Sequence, residues 1–135
     1  MKKKPILSKS ISSLLLIGAI SALPQAQADN TWTGGGTTTN WSDGGNWSGG
    51  AITNAYFGTL TFTTGGTQGT TSIDNVVGVN GNKLLWTGTS AWTLNGSNNI
   101  NLFDNGGVQA KIENQSTGLV TINAPITFAA TTGAA

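Results

Sequence analysis

The feature that most constrains this chain is a series of apolar pairs, each with a spacing of two, between residues 91 and 128. Successive residues of a β-strand point to opposite sides, so each pair places two apolar side chains on one face. The pairs are Trp92 and Leu94, Ile100 and Leu102, Ala110 and Ile112, Val120 and Ile122, and Ile126 and Phe128. Short strands with one apolar face, recurring along the chain, predict an all-β domain.

Residues that form turns separate these pairs. Asn and Gly tolerate or favour positive φ and therefore reverse the chain direction readily. The predicted turns are Asn80-Gly81-Asn82, Asn95-Gly96, Asn105-Gly106-Gly107 and Ser116-Thr117-Gly118. Upstream, Leu60 and Phe62 alternate with threonines in a further predicted strand, and no segment after residue 28 has the 3.6-residue period of a helix.

Two all-β architectures fit this pattern. An antiparallel β-sandwich joins neighbouring strands by tight hairpins, and Asn95-Gly96 has the chemistry that such hairpins favour. A right-handed parallel β-helix, a solenoid, instead stacks coils so that like side chains lie above one another. The chain has no Cys for disulfides and is rich in Thr and Asn. These features favour the solenoid, with the antiparallel β-sandwich as the alternative.

The N-terminus has the organisation of a secretory signal peptide. Four lysines precede an apolar stretch over residues 11–23, and Ala26 and Ala28 supply the small side chains of a cleavage site before Asp29. This stretch of about 13 residues is shorter than the ~20 that cross a bilayer as a helix. The sequence therefore predicts a signal helix within residues 1–28, export through the inner membrane, and a mature chain without a membrane-spanning segment.

Removal of residues 1–28 reverses the sign of the net charge. The remaining chain has Lys83 and Lys111 against four aspartates and one glutamate, a formal net charge of −3. Such a chain has no basic surface for phosphate backbones, so nucleic acid is excluded as a partner.

The first part of the mature chain differs from the rest. Residues 29–58 contain Trp32, Trp41 and Trp47 among glycine pairs and triplets, whereas residues 59–135 carry the strand repeats. A solenoid needs a covered end, and three indoles bury a large apolar area there. We therefore expect residues 29–58 to form an N-terminal cap. The alternative is that Trp41 and Trp47 are exposed and stack against the sugar rings of a glycan.

Several motifs of this chain resemble those of bacterial autotransporter passengers, and more closely those of exported proteins with autotransporter-associated β-strand repeats. In that family a tryptophan-rich segment ending in NWS precedes a strand of the form LTF and then repeats with TLNG and ITF. Here Asn46-Trp47-Ser48, Leu60-Thr61-Phe62, Thr93-Leu94-Asn95-Gly96 and Ile126-Thr127-Phe128 occupy those places.

The resemblance implies a right-handed parallel β-helix that is displayed at the cell surface or outer membrane, or secreted. It also implies a C-terminal outer-membrane β-barrel, and no series of amphipathic barrel strands follows Phe128 in this sequence. A barrel is therefore expected only if the gene continues, and the chain looks like the first coils of a longer passenger.

The residue inventory argues against catalysis. The chain has no His, no Cys and no Arg, so it cannot assemble a Ser-His-Asp triad, a cysteine nucleophile or a zinc site built on His or Cys. Its carboxylates are scattered, and those in Asp43-Gly44-Gly45 and Asp104-Asn105-Gly106 are typical of turns. We predict no catalytic, cofactor or metal residues.

These observations together predict an exported, non-enzymatic passenger segment with a role in adhesion or surface display. Its expected partners are glycans or like molecules at the cell surface. Two other hypotheses stay open on the sequence: a secreted carbohydrate-binding module that uses exposed Trp41 and Trp47, and a non-functional fragment of a longer autotransporter gene.

Overall fold

A computed structural model describes residues 28–53 and 56–129 of the 135-residue chain. The signal helix predicted within residues 1–28 lies outside the described residues except for Ala28, and so do the last six residues of the chain. The described part is almost entirely β-structure, with two 3-10 turns at Gly44–Asn46 and Gly66–Gln68. Its strands are β1 (Ala28–Trp32), β2 (Tyr56–Phe62), β3 (Thr71–Asp74), β4 (Asn80–Trp86), β5 (Trp92–Gly96), β6 (Ile100–Phe103), β7 (Lys111–Asn114), β8 (Val120–Ile122) and β9 (Ile126–Ala129).

The strands form two parallel sheets of a β-solenoid with about four turns. One sheet has the order β1-β2-β4-β6-β9, with β7 also paired to β4, and the other has the order β3-β5-β8. Every pairing between these strands is parallel. The prediction of a parallel solenoid is confirmed, and the antiparallel β-sandwich is wrong.

The coil-to-coil register explains why the alternating pattern produces a stack. In the first sheet Trp32 lies beside Phe62 and Phe62 beside Trp86, so large apolar residues fill one column through three coils. In the second sheet Leu94 lies beside Ile122 in the same way. The inward residues of each coil therefore cover those of the next, and one core runs along the axis of the solenoid.

Two of the predicted turns are parts of strands. Asn95-Gly96 ends β5, where it pairs with Ile73 and Asp74, and Asn80-Gly81-Asn82 begins β4. Gly81 is needed there for its size, since a Cβ at this position would lie 2.2 Å from the ring of Phe57. Gly81 therefore serves close packing between two coils rather than a turn, because only a residue without a side chain fits beside Phe57.

A corner interrupts the first sheet in each coil. Phe57 pairs with Gly81, and Leu60 pairs with Leu84. All four residues are buried, although Phe57 and Leu60, like Gly81 and Leu84, are three positions apart and would face opposite sides of a regular strand. The boundary predicted at residue 58, between cap and repeats, falls at this corner within β2. The strand thus serves both segments.

We predict that Phe62→Ala lowers the free energy of unfolding by about 3–5 kcal/mol, the range for removal of a buried phenyl ring. Phe62 is fully buried and its ring stacks on Trp86 with a centroid separation of 4.9 Å. Urea denaturation followed by tryptophan fluorescence measures the loss.

The matched control is Phe128→Ala, which removes the same ring from an exposed position of β9. We expect this control to cost less than about 1 kcal/mol. Equal losses for the two variants would contradict the assignment of Phe62 to the centre of the core.

Candidate functional site

The N-terminal end of the solenoid is covered by the chain itself. Strand β1 lies at the edge of its sheet, and residues 46–48 return antiparallel along its outer side. Ser48 N–H donates to the carbonyl of Thr31 at 2.9 Å, and Thr33 N–H donates to the carbonyl of Asn46 at 2.7 Å. This edge is therefore hydrogen-bonded and is not a template for another strand.

Two buried asparagines hold the returning segment in place. Asn30 accepts hydrogen bonds from Gly49 N–H and the Ser48 hydroxyl, and its amide donates to the carbonyl of Gly50. The amide of Asn46 donates to the carbonyls of Thr38 and Asn40 at 2.7 and 2.9 Å. Each side chain replaces hydrogen bonds that a regular neighbouring strand would otherwise provide to the backbone.

Asp43 organises the glycine-rich loop within this segment. Its carboxylate accepts the backbone N–H groups of Thr37, Thr38 and Gly45 at 2.8, 3.0 and 3.1 Å. These bonds, led by that from Thr37, hold the pKa of Asp43 below its usual value. The predicted turn at Asp43-Gly44-Gly45 is thus a 3-10 turn capped by the aspartate.

The three early tryptophans pack together beneath this segment. Trp47 meets the rings of Trp32 and Trp41 edge-on, with centroid separations of 5.2 and 5.5 Å, and all three pack around Phe62. Trp41 is 0 % exposed and Trp47 is 4 % exposed. Stacking against a glycan needs an exposed ring face, which neither of these side chains has. The structure therefore places Trp41 and Trp47 in the core, as expected for a cap, and their burial does not fit the alternative of sugar stacking.

The last coils present a different surface. Inward-facing residues of β7 and β9 are exposed here although their counterparts in earlier coils are buried: Phe128 is 57 % exposed and stands above buried Leu102. Ile112 and Leu119 are also exposed. Among the described residues this end has no tryptophan cluster and no returning segment, so the two ends of the solenoid are unequal.

Hydroxyl and amide ladders cover the outer faces. The hydroxyls of Thr63 and Thr87 are 3.0 Å apart, and the amide of Asn123 donates to Asn95 at 2.8 Å. These side chains come from adjacent coils, so the ladders run along the solenoid axis. The outer faces are polar but largely uncharged.

The two lysines share one acidic partner. Lys111 Nζ lies 2.8 Å and Lys83 Nζ 3.6 Å from Glu113 Oε2. The hydrogen bond from Lys111, followed by that from Gln115, lowers the pKa of Glu113 to about 2. Within residues 28–53 and 56–129, no three carboxylates come together as a candidate metal site. The same residues contain no helix long and apolar enough to span a membrane.

Asp74 is an acidic residue inside the solenoid. Its side chain is 1 % exposed; Oδ1 accepts Val76 N–H at 2.9 Å, whereas Oδ2 is buried without a hydrogen-bond partner. Burial raises the pKa of Asp74 to about 6, and the Val76 hydrogen bond opposes the rise. Gly96 and Ala124 occupy the next positions of this column, and their small size leaves space for the carboxyl group.

A shallow recess of about 130 Å³ lies beside the cap. Its lining includes Asn30, Ile52, Tyr56 and Phe57. Sites for drug-sized ligands measure roughly 300–1,000 Å³, so this recess is too small to enclose such a molecule.

Sequence reasoning missed the side chains that organise these features. Asn30, Asn46 and Asp74 carry no local signature that separates them from the many other Asn and Asp residues of the chain. The tryptophan cluster did have a signal, since three indoles lie within 16 residues that contain no other large apolar side chain.

Comparison with protein-family models, curated proteins and solved structures finds no match to this chain. The fold therefore defines its class, a parallel β-solenoid.

We predict that Asp74→Asn removes a pH dependence of stability between about pH 4 and pH 6.5. The folded-state pKa of about 6 lies above the ordinary value of 3.8, so folding retains a proton in this window. The wild-type free energy of unfolding then falls by about 2–3 kcal/mol as the pH rises through it. The variant cannot ionise at this position.

Urea denaturation of both proteins at half-unit pH steps measures the effect. The variant is expected to match the wild type near pH 4 and to exceed its stability at pH 7. A difference between the two proteins that is constant from pH 4 to pH 7 would show that Asp74 titrates normally in the folded state.

Proposed function

We propose that this chain is an exported, non-enzymatic β-solenoid segment that acts in adhesion or surface display. The observation that carries the proposal is the combination of one covered end with long, polar, weakly charged faces. A solenoid offers an extended surface on which many weak contacts add together. The Thr and Asn ladders supply hydroxyl and amide groups for such contacts, with glycans or like molecules as partners.

The unequal ends support a place near the start of a longer stack. Residues 46–50 cover the first coil, so chain growth in that direction has no free strand to join. A further coil of the same kind at the other end would bury Ile112 and Phe128, as their counterparts Leu84 and Leu102 are buried. We infer that the chain forms the first coils of an autotransporter-like passenger.

We also propose the segments predicted from the sequence: a signal peptide over residues 1–28, a cap over 29–58 and passenger repeats over 59–135. The hydrogen bonds of Asn30, Asp43 and Asn46 within the second segment support its role as a cap. Asp29 accepts the N–H of Thr59 through Oδ1 at 2.7 Å, so a mature chain that begins with Asp29 loses the pairing of Ala28 with Phe57 but keeps this contact with β2.

We predict that Gram-negative cells displaying this chain ahead of an outer-membrane β-barrel adhere to mucin-coated surfaces or to each other more than cells displaying the barrel alone. The measurements are retention under flow and sedimentation of the culture. External protease and an epitope tag confirm that the chain reaches the surface.

Cells displaying Phe62→Ala provide the control for fold-dependent adhesion, because this variant removes a buried ring from the core and destabilises the solenoid. The proposal is contradicted if the wild-type chain is displayed and folded but neither retention nor sedimentation exceeds that of the barrel alone.

We predict that Ala26→Phe blocks removal of the signal peptide, because a signal peptidase requires small side chains in an Ala-x-Ala site. Gln27→Phe is the matched control, since the middle position does not carry this requirement. Mass spectrometry of the exported product is expected to give Asp29 as the first residue for the wild type and the control. An unprocessed or differently processed control chain would place the cleavage site elsewhere.

A further inference from the structure

One coil carries an insertion that the preceding coil lacks. On the first side of the corner, Asn80 and Gly81 of β4 pair with residues 21 positions ahead in β6. Beyond the corner, Lys83 to Trp86 pair with residues 28 positions ahead in β7. The difference is a seven-residue insertion, residues 104–110, between β6 and β7. Insertions in single repeats of solenoids project on one face, often the face that binds.

The insertion is an ordered loop with its own hydrogen bonds. Asn105 and Val108 exchange two backbone hydrogen bonds of 2.9 and 2.8 Å, which close a two-residue turn at Gly106 and Gly107. Both glycines have positive φ, as the tight turns of hairpins require. At the base, Asp104 Oδ1 accepts Ala110 N–H at 2.8 Å.

A buried asparagine of the preceding coil fixes the insertion to the solenoid. The amide of Asn82 donates to the carbonyls of Phe103 and Val108 at 2.9 and 3.1 Å. Asn82 is buried, so its two hydrogen bonds are shielded from water. They fix the position of the insertion next to the corner.

An aromatic pair, exposed at Tyr56 and half-buried at Phe103, lies at the base of the insertion. Tyr56 of β2 and Phe103 of β6 come from coils two apart, and their ring centroids are 6.0 Å apart with an interplanar angle of 54°. Tyr56 is 53 % exposed although Phe103 restricts its ring. An aromatic ring that is both exposed and held in place offers a preorganised apolar face.

Polar groups continue from the rings along the solenoid axis. Tyr56 lies in register with Asn80, and Asn80 with Asn101, on the outer face. The amide of Asn101 donates to Asn80 Oδ1 at 3.1 Å, which fixes both side chains. Thr127 follows in the next coil. We call Tyr56, Asn80, Asn101, Phe103 and the insertion 104–110 the corner platform.

We propose that the corner platform binds a neutral oligosaccharide, with one sugar ring on Tyr56 and the next residues along Asn80 and Asn101. The C–H groups of a pyranose ring are weakly positive and pack on the negative face of an aromatic ring. Amides both donate to and accept from sugar hydroxyls. Lys83 and Lys111 already contact Glu113, which favours a neutral ligand over a sulfated or phosphorylated one.

This inference rests on the proposed role in adhesion and names the ligand class and the residues for it. It also assigns sugar stacking to Tyr56 in place of the buried Trp41 and Trp47. The ladder geometry adds a direction, because the register places Asn80, Asn101 and Thr127 in successive coils. The oligosaccharide therefore runs along the solenoid axis and crosses the strands.

Isothermal titration calorimetry of the full chain with cellohexaose, maltohexaose and chitohexaose tests the proposal. We expect saturable binding of at least one of the three. Tyr56→Ala is expected to weaken that binding at least about tenfold, whereas Tyr56→Phe, which keeps the ring, changes it less than about threefold. Near-ultraviolet circular dichroism verifies that both variants keep the packing of the buried tryptophans.

Two further variants separate this site from general surface effects. Leu119→Ala removes an exposed apolar side chain next to β8 of the other sheet and is expected to leave binding unchanged. Asn82→Ala releases the insertion from the carbonyls of Phe103 and Val108 and is expected to weaken binding while the circular dichroism spectrum is kept.

Absence of saturable binding to all three oligosaccharides overturns the proposal, as does binding that survives Tyr56→Ala. Binding to a protein partner alone would also overturn it. Failure of this inference can be distinguished from failure of the proposed function. If displayed cells adhere equally well with and without Tyr56→Ala, the proposed adhesion stands and only the role of the platform is overturned.

Discussion

The register between parallel coils is the constraint on which the rest of this structure depends. Parallel pairing without an offset places residue types above their counterparts, so Trp32, Phe62 and Trp86 form one column. The stacked rings of Phe62 and Trp86 are 4.9 Å apart, close to the spacing of adjacent strands. Hydrogen bonding along the backbone and aromatic packing inside the coil thus require the same geometry. A chain without disulfides gains its cohesion from this agreement.

The same register creates a problem at each end, because an edge coil has unpaired backbone groups and uncovered apolar side chains. The N-terminal end solves it with a tryptophan cluster and with asparagine side chains that substitute for a missing strand. Trp47 contributes twice, since its ring covers Trp32 and its Nε1 donates to the carbonyl of Trp41 at 3.1 Å. At the opposite end of the described residues, Ile112 and Phe128 are exposed although the residues beside them in the preceding coil, Leu84 and Leu102, are buried. Among the described residues, one end of the stack is therefore covered and the other leaves apolar side chains exposed.

Amide side chains have three separate roles in this fold. Asn30 and Asn46 bond backbone groups of the cap, Asn95 and Asn123 link coils on an outer face, and Asn82 supports the insertion. The many asparagines of this chain thus provide hydrogen bonds for the cap, the outer face and the insertion without adding charge to the surface. The corner platform combines two of these roles. Asn82 hydrogen-bonds the insertion, and Asn101 hydrogen-bonds Asn80 beside the aromatic pair.

The sequence by itself determined that the fold is all-β, because the alternation of apolar and polar residues fixes which side chains of a strand share a face. It also located the turn at Asn105-Gly106-Gly107 and the concentration of tryptophans in the first coil. It did not determine which strand lies beside which, since that depends on contacts between residues 21 to 30 positions apart. Only the tertiary structure therefore decided that Trp41 and Trp47 are buried, that Asn95-Gly96 belongs to a strand and that Asp74 faces the core. The pairing of Tyr56 with Phe103 was equally invisible in the sequence, because a long-range register brings these two rings together and no local pattern records it.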